Sequence, residues 1–429
     1  MDNNNTLSDN VSLSKDFINA YTLQYYHYLT TAKQVLILGA GFGGLASANL
    51  LRKSLPREGC QITVIDKNQY FMMGIVNLWI LSGSRRLEDS QVALNKLGDK
   101  GIRFLNDEIT AIDPSENSIT TRTKHGKLEY DYLIVALGAE LAPKLINGFE
   151  DNGRCFNVYD AHQVPNLREK ILSLKSGRIA ICIADIPYKC PPAPYEVSLL
   201  INDMLIKNGT RNSIDLNIYG PTPISLPVAG ANISRDVVNL LNDNHIKFHE
   251  LHKLKRVLDK KTVEFENGNK TRYDLLIVIP PHEVPQVIKN SDLLRDGGDQ
   301  RWINVDRFTL RTKYKNVFAI GDVTEIRLDN GITIPKAGIF AEGEAKVVSQ
   351  QIIDEIKNNN NSNNSKKAHA SKFDGKGFCF MEVGNKRAGY IDADFYNEGG
   401  PTVRLDPPSD ELYQKKLDFE RSRLNEWLM

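Results

Sequence analysis

Short apolar runs that end in glycine or in an acid, separated by helical stretches, recur along most of this chain. The run Gln34-Val35-Leu36-Ile37-Leu38 leads into Gly39-Ala40-Gly41-Phe42-Gly43-Gly44, and a helical stretch follows from Leu45 to Lys53. A second run, Gln61-Ile62-Thr63-Val64-Ile65, ends in Asp66. Continuous apolar runs between turn signals read as buried parallel strands. Strand, glycine turn, helix, strand and acid, in that order, predict a dinucleotide-binding βαβ unit. Gly39 permits the turn, Gly41 lets the backbone approach a pyrophosphate, and Gly44 lets the helix lie close to the strand. The first helical amides then point at the phosphates. Asp66, about 20 residues past the last glycine, is placed to accept from a ribose hydroxyl. Phe42, Gly43 and Lys67 complete this group of candidate cofactor-binding residues.

Further strands are expected over 101–123, with a turn at Asp113-Pro114. Tyr130-Asp131-Tyr132-Leu133-Ile134-Val135-Ala136-Leu137-Gly138 reads as a buried strand ending in small residues, of which Ala136 and Gly138 face the cofactor. The pattern then repeats. Arg178 to Ala184 echoes the first strand, Ile214 to Tyr219 the second, and Tyr273 to Val278 follows Tyr130 to Val135 almost letter for letter. First strand to closing strand takes about 95 residues in both halves, an internal period that marks duplicated units. The fold class is therefore α/β, with two tandem Rossmann-like domains.

The second copy lacks the glycine turn. Its place is taken by Asp185-Ile186-Pro187-Tyr188-Lys189-Cys190-Pro191-Pro192-Ala193-Pro194-Tyr195-Glu196. Prolines remove amide donors and fix φ, so this turn cannot cradle a pyrophosphate as the first does. Ile218-Tyr219-Gly220 also lacks the ribose-binding acid, so a working nicotinamide site is not expected there. His282, beside Pro280 and Pro281, reads as a loop residue.

The apolar run Asn316 to Ile320 ends in Gly321-Asp322, and Ile334-Pro335-Lys336-Ala337-Gly338 opens a helical stretch over 339–356. Gly321, Asp322, Lys336, Ala337 and Gly338 suggest a carboxylate on a ribityl chain and a helix dipole aimed at a flavin ring. Residues 357–370, rich in asparagine, read as a disordered linker. A small C-terminal α+β unit follows over 371–429. Its strands surround Gly375, Gly377 and Gly384, and its last helix carries Leu412, Leu417, Leu424, Trp427 and Leu428. That helix is expected to pack on the body, with shallow seating at a membrane interface left open.

The resulting division is an N-terminal arm over 1–33 with one amphipathic helix, a first cofactor domain over 34–145, a second Rossmann-like domain over 146–300, the return of the first domain over 301–356, the linker, and the C-terminal unit. A length of 429 residues accommodates that many units. The net charge of +1 gives no electrostatic reason to expect nucleic acid. Five unevenly spaced cysteines make neither a disulfide framework nor a metal pattern, so no metal is expected and any cysteine that matters is reactive. The N-terminus shows no secretory signal pattern, and no apolar run reaches the roughly 18 residues of a membrane span. A cytoplasmic protein is expected, at most peripheral on a membrane, with its oligomeric state left open.

Together these blocks resemble the flavin-dependent two-dinucleotide-domain reductases. More closely, they resemble the branch holding sulfide:quinone oxidoreductases and the flavoprotein of flavocytochrome c sulfide dehydrogenase. The motifs that carry the resemblance are Lys189 to Glu196, Gly321-Asp322, Pro335 to Gly338, and the cysteine of Gly377-Phe378-Cys379. The resemblance implies FAD, bound non-covalently because Tyr70-Phe71-Met72-Met73 offers no cysteine for attachment. It also implies a redox disulfide between Cys190 and Cys379 over the flavin. Hydrosulfide opens such a disulfide by exchange, leaving a persulfide and a thiolate. Two electrons then pass to the flavin as sulfane sulfur leaves, and a quinone takes them. Lys336 and the helix start at Gly338 would stabilise reduced flavin, and Glu196 would move protons. Cys155 is out of register with the third cysteine of the sulfide:quinone oxidoreductases, and Cys60 and Cys182 read as core residues. Two alternatives share parts of the pattern: a type II NADH dehydrogenase-like enzyme, and a flavin-binding interaction protein without turnover.

Overall fold

The computed structural model describes residues 32–123, 125–150, 153–294, 301–360 and 371–429. The expected N-terminal arm, apart from its last two residues, lies outside the described residues. In chain order the elements that build the site begin with β1 (Lys33–Leu38), α1 (Phe42–Ser54), β2 (Cys60–Asp66), α2 (Val76–Ser82), β3 (Arg103–Asn106) and β4 (Tyr132–Val135). The second half supplies β5 (Cys155–Asn157), β6 (Gly177–Ile183), α3 (Ala193–Lys207), β7 (Ile214–Tyr219), β8 (Lys247–His249) and β9 (Leu275–Ile279). The chain closes with β10 (Val317–Ala319), α4 (Gly338–Asn360), β11 (Lys376–Gly384), β12 (Arg387–Asp394), β13 (Thr402–Ser409) and α5 (Asp410–Leu428).

Two all-parallel sheets result. The first has the order β10-β4-β1-β2-β3 and the second β5-β9-β6-β7-β8. Their central strands are buried along nearly their whole length, as continuous apolar runs require. In each half, a three-stranded antiparallel ribbon precedes the closing strand. The repeat of Tyr-Asp at 130–131 and 273–274 has a physical reason. Asp131 accepts the Gln34 N–H at 2.7 Å and Asp274 accepts the Arg178 N–H at 2.9 Å, so each aspartate secures the start of its half's first strand.

The C-terminal unit is an antiparallel sheet, β11-β12-β13, with α5 across it. β11 packs on α3 and α4, which seats the unit against both Rossmann-like domains. The expected linker needs correction at its start, because α4 runs through Asn360 and residues 357–360 are helical. The remainder, 361–370, lies outside the described residues. The last helix also differs from expectation. Its most buried positions are Lys416, Glu420, Trp427 and Leu428, whereas Leu412, Leu417 and Leu424 are half-buried. Trp427 is clasped by the rings of Phe42 and Phe71, which ties α5 to the body. Among the described residues no helix is long and apolar enough to cross a membrane.

Candidate active site

The glycine turn between β1 and α1 is built as its spacing requires. A Cβ on Gly39 would stand 2.4 Å from the Ala136 carbonyl oxygen, and one on Gly44 would stand 1.9 Å from the Gly39 oxygen. Gly41, by contrast, has nothing within 4 Å of that position and faces a cavity of about 380 Å³. Gly138 likewise borders open space in this cavity. Phe42, Gly43, Ala136, Gly321, Asp322, Lys336, Ala337 and Gly338 also line it, so three stretches far apart in sequence converge on one space.

Asp66 and Lys67 do not line the cavity. The Asp66 carboxylate accepts the Ala40 N–H at 2.7 Å and the Asn68 N–H at 2.8 Å, bracing the glycine turn. Any ribose hydroxyl shares an acceptor already in use. Lys67 is exposed and paired with Glu140 at 2.8 Å.

Cys190 and Cys379 both line the cavity, close enough that Cys379 pushes up the pKa of the Cys190 thiol. Both are free thiols here, with no disulfide between them. The proline-flanked loop that carries Cys190 is stitched down on several sides. The Cys190 N–H donates to the Lys336 carbonyl at 2.7 Å, and the Tyr159 hydroxyl donates to the Lys189 carbonyl at 2.6 Å. Arg301 reaches Asp185 at 3.0 Å. These contacts hold Cys190 at φ +51°, a left-handed conformation that L residues adopt at a cost of about 1–2 kcal/mol.

His282 belongs to this scaffold. It is fully buried, with Nδ1 against the Pro280 carbonyl at 2.9 Å and Nε2 accepting the Lys189 N–H at 3.4 Å. Burial, with Lys189 nearby, pushes its pKa down to about 3, so the ring is a neutral support.

The Lys336 ammonium donates to the Asp322 and Thr324 carbonyls, both at 2.8 Å, and lies 3.4 Å from the centre of the Trp302 ring. Burial lowers its pKa to about 8. Asp322 is raised, also by burial, with Lys189 and Lys336 as its nearest opposing charges.

Glu196 lines the cavity but is not alone. Its Oε1 accepts from Lys416 Nζ at 2.9 Å and from the Glu382 N–H at 2.8 Å, while Lys416 also reaches Glu382 Oε2 at 3.0 Å. These three side chains are 1–4% exposed. Burying charges costs several kcal/mol per ion, and breaking such a group on one side costs about 3–5 kcal/mol. Neither Lys416 nor Glu382 stands out in the sequence. The signal was a lysine and a glutamate one turn apart, Lys416 and Glu420, on the stripe that Leu412 and Trp427 mark as inward. Tyr159 was missed as well.

Cys155 lies in β5, buried, with its sulfur 3.3 Å from the Tyr273 hydroxyl. It belongs to the core of the second sheet, and the cavity lining does not include it. Cys60 and Cys182 are fully buried strand residues, as expected.

The sequence signature of the pyridine nucleotide-disulphide oxidoreductases matches residues 33–184. A mitochondrial sulfide:quinone oxidoreductase of Dictyostelium discoideum is 31% identical over 312 residues, which cover 70% of this chain and 67% of that protein. The chain belongs to the sulfide:quinone oxidoreductase family. A sulfide-quinone reductase of Aquifex aeolicus is 29% identical over 341 residues, 76% of this chain and 78% of its own. The crystal structure of the sulfide:quinone oxidoreductase from Aquifex aeolicus superposes with a TM-score of 0.79 at 26% identity, covering 92% of each chain.

As a member of this family the protein is an FAD-dependent oxidoreductase. Its residues fit the cofactor. The open face of Gly41 and the free space beside Gly138 suit a pyrophosphate and an adjoining chain, and Asp322 suits a ribityl hydroxyl. The cavity wall at Phe71, Met72 and Met73 holds no cysteine for covalent attachment.

Proposed function

We propose that this flavoenzyme takes electrons from sulfide through Cys190 and Cys379 and passes them by way of FAD to a quinone. The observation that carries the proposal is the meeting of the two thiols on the wall that also holds the glycine turn, Asp322 and Lys336.

In the oxidised pair, hydrosulfide attacks one sulfur. The Cys–Cys bond breaks, a new S–S bond forms as a persulfide on one cysteine, and the other leaves as a thiolate. Return of the pair to its disulfide releases sulfane sulfur, so that each HS⁻ gives up two electrons and one proton. FAD, when bound, accepts the two electrons. Lys336 supplies positive charge at that wall, fixed by two carbonyls and the Trp302 ring. The Cys190 loop places Lys189 within the same cavity, its ammonium 3.1 Å from the Ala139 carbonyl.

For the acceptor, the cavity carries a cluster of rings. Phe42, Phe378, Phe380 and Phe419 line it, with Phe42 and Phe419 stacked at 6.2 Å and Phe378 set edge-on to Phe419 at 5.6 Å. Flat apolar walls of this kind suit a quinone head group. Long-chain quinones reside in lipid, so the proposal includes peripheral contact with the cytoplasmic face of a membrane.

Stopped-flow reduction of the bound flavin tests the reading. Bleaching by sulfide and not by NADH is the expected result, followed by reoxidation with a soluble quinone. Bleaching by NADH alone would replace sulfide with a nicotinamide donor.

A further inference from the structure

Two opposite charges face the redox cavity with bonding capacity to spare, and they come from different domains. Lys189 belongs to the Cys190 loop of the second Rossmann-like domain, and Asp322 follows β10 in the first. The Lys189 backbone is clamped on both sides. Its N–H donates to His282 Nε2 at 3.4 Å, and its carbonyl accepts from the Tyr159 hydroxyl at 2.6 Å. The side chain so directed crosses the seam between the domains. Its ammonium donates to the Ala139 carbonyl of the first domain at 3.1 Å, its one hydrogen bond among the described residues. The Asp322 carboxylate lines the same cavity, and among the described residues no side chain or amide donates to it.

We propose that Lys189 is a cofactor-holding residue that the second domain lends to the first. With Asp322 it grips the polyol chain of FAD from two sides, the ammonium donating and the carboxylate accepting. This rests on FAD filling the cavity and not on the sulfide reading.

A polyol hydroxyl both donates and accepts, so a donor and an acceptor facing one cavity suit it better than either alone. Lys336, the other cation at this wall, has its ammonium committed to two carbonyls and the Trp302 ring. Lys189 has donors left. Its acidic neighbours are Asp322 and Glu140, and Glu140 is already paired with the exposed Lys67 at 2.8 Å. Burial raises the Asp322 carboxyl, and Lys189 is the stronger of the two charges that oppose this, ahead of Lys336. The other titratable groups near Asp322 are Tyr159 and Glu344, whose Oε2 accepts the Gly321 N–H at 2.5 Å. When FAD displaces water from the cavity, the attraction between Lys189 and Asp322 grows, because charges interact more strongly at low dielectric constant. The FAD site is then complete only where the two domains meet.

The test is the rate at which the holoenzyme releases FAD on dilution, read as the rise of free-flavin fluorescence. Lys189→Met should speed release about tenfold or more. Lys189→Arg, which restores both charge and donors, should recover most of that loss. In the double variant of Lys189→Met with Asp322→Asn, the loss should fall short of the product of the two single losses, since the residues act as a pair. The pH dependence gives a second readout, which a mere strut would not move. Removing the Lys189 charge raises the Asp322 carboxyl further, so as pH falls, release should quicken at a higher pH in Lys189→Met than in the wild type. Asp322→Asn should lose this limb. Release at the wild-type rate in Lys189→Met, or single losses that multiply in the double variant, would overturn the proposal. If Lys189→Met does not fold, Lys189→Gln decides by the same rate, and wild-type release there overturns it equally. The measurement contains no sulfide, so its failure and the failure of the sulfide reading are separate outcomes.

Discussion

The backbone N–H of Cys190 donates to the carbonyl oxygen of Lys336 at 2.7 Å. One hydrogen bond thus joins the proline-flanked loop of the second Rossmann-like domain to the residue just ahead of α4 in the first. The proposed sulfur-handling group and the proposed flavin-facing cation share a backbone contact. Each is placed relative to the other before any ligand arrives.

From this placement, Cys190→Ser should abolish sulfide-driven bleaching while leaving FAD bound. Mass spectrometry of the oxidised wild-type enzyme should find a peptide linked through Cys190 and Cys379. Recovering both cysteines fully alkylated from the oxidised enzyme would remove the pair from the mechanism.

The glycine turn separates two kinds of failure. Gly44→Ala puts a methyl group 1.9 Å from the Gly39 oxygen, an overpacking worth about 1–3 kcal/mol or more. A drop in Tm of about 2–4 °C per kcal/mol is expected for domains of roughly this size. The Cβ of Gly41→Val has no protein atom within 4 Å, so the fold should stay intact. Its side chain occupies the approach to the pyrophosphate, so the protein should purify colourless. Circular dichroism beside flavin absorbance distinguishes the two, and a yellow Gly41→Val protein would contradict the assigned role.

Asp322→Ala removes a cavity carboxylate held near two lysines. A hydrogen bond to a charged group contributes about 1.5–3 kcal/mol, so the FAD Kd should rise by about 10–150-fold. Fluorescence titration of the apoprotein with FAD measures it. An unchanged Kd would mean that the ribityl chain is held elsewhere.

Lys336 gives a pH dependence with a definite sign. Burial lowers its pKa to about 8, so it is charged below that pH and neutral above it. A cation beside the flavin favours the anionic reduced form, which raises the midpoint potential. Lys336→Met should therefore lower the potential at pH values near 7, and the gap to the wild type should close as pH rises past about 8. Redox titration of both proteins at several pH values checks this. A gap that is the same on both sides of pH 8 would exclude Lys336 as the source.

Much of this molecule was open to reading from the chain alone. Parallel strands, the glycine turn and the duplicated architecture follow from patterns along the chain: apolar runs, the glycine spacing, and the Tyr-Asp that opens both closing strands. Those features are written in neighbouring residues, because strands and turns answer to neighbouring residues. Cys190 also stood out, since the prolines around it forbid a phosphate-binding turn, whereas Cys379 was marked only by the resemblance. What the tertiary structure decided is who stands next to whom. Lys416 looked like one more charge on a charged helix until α5 docked and turned it inward to Glu196 and Glu382. Asp66 is marked for a ribose by its spacing, and the structure adds that its carboxylate braces the amides of Ala40 and Asn68. Cys155 became a core residue when β5 paired with β9. The physical reason is common to all three. Burial and charge pairing depend on how the elements pack, and contacts between residues from 2 to 220 positions apart leave no periodic trace in the chain.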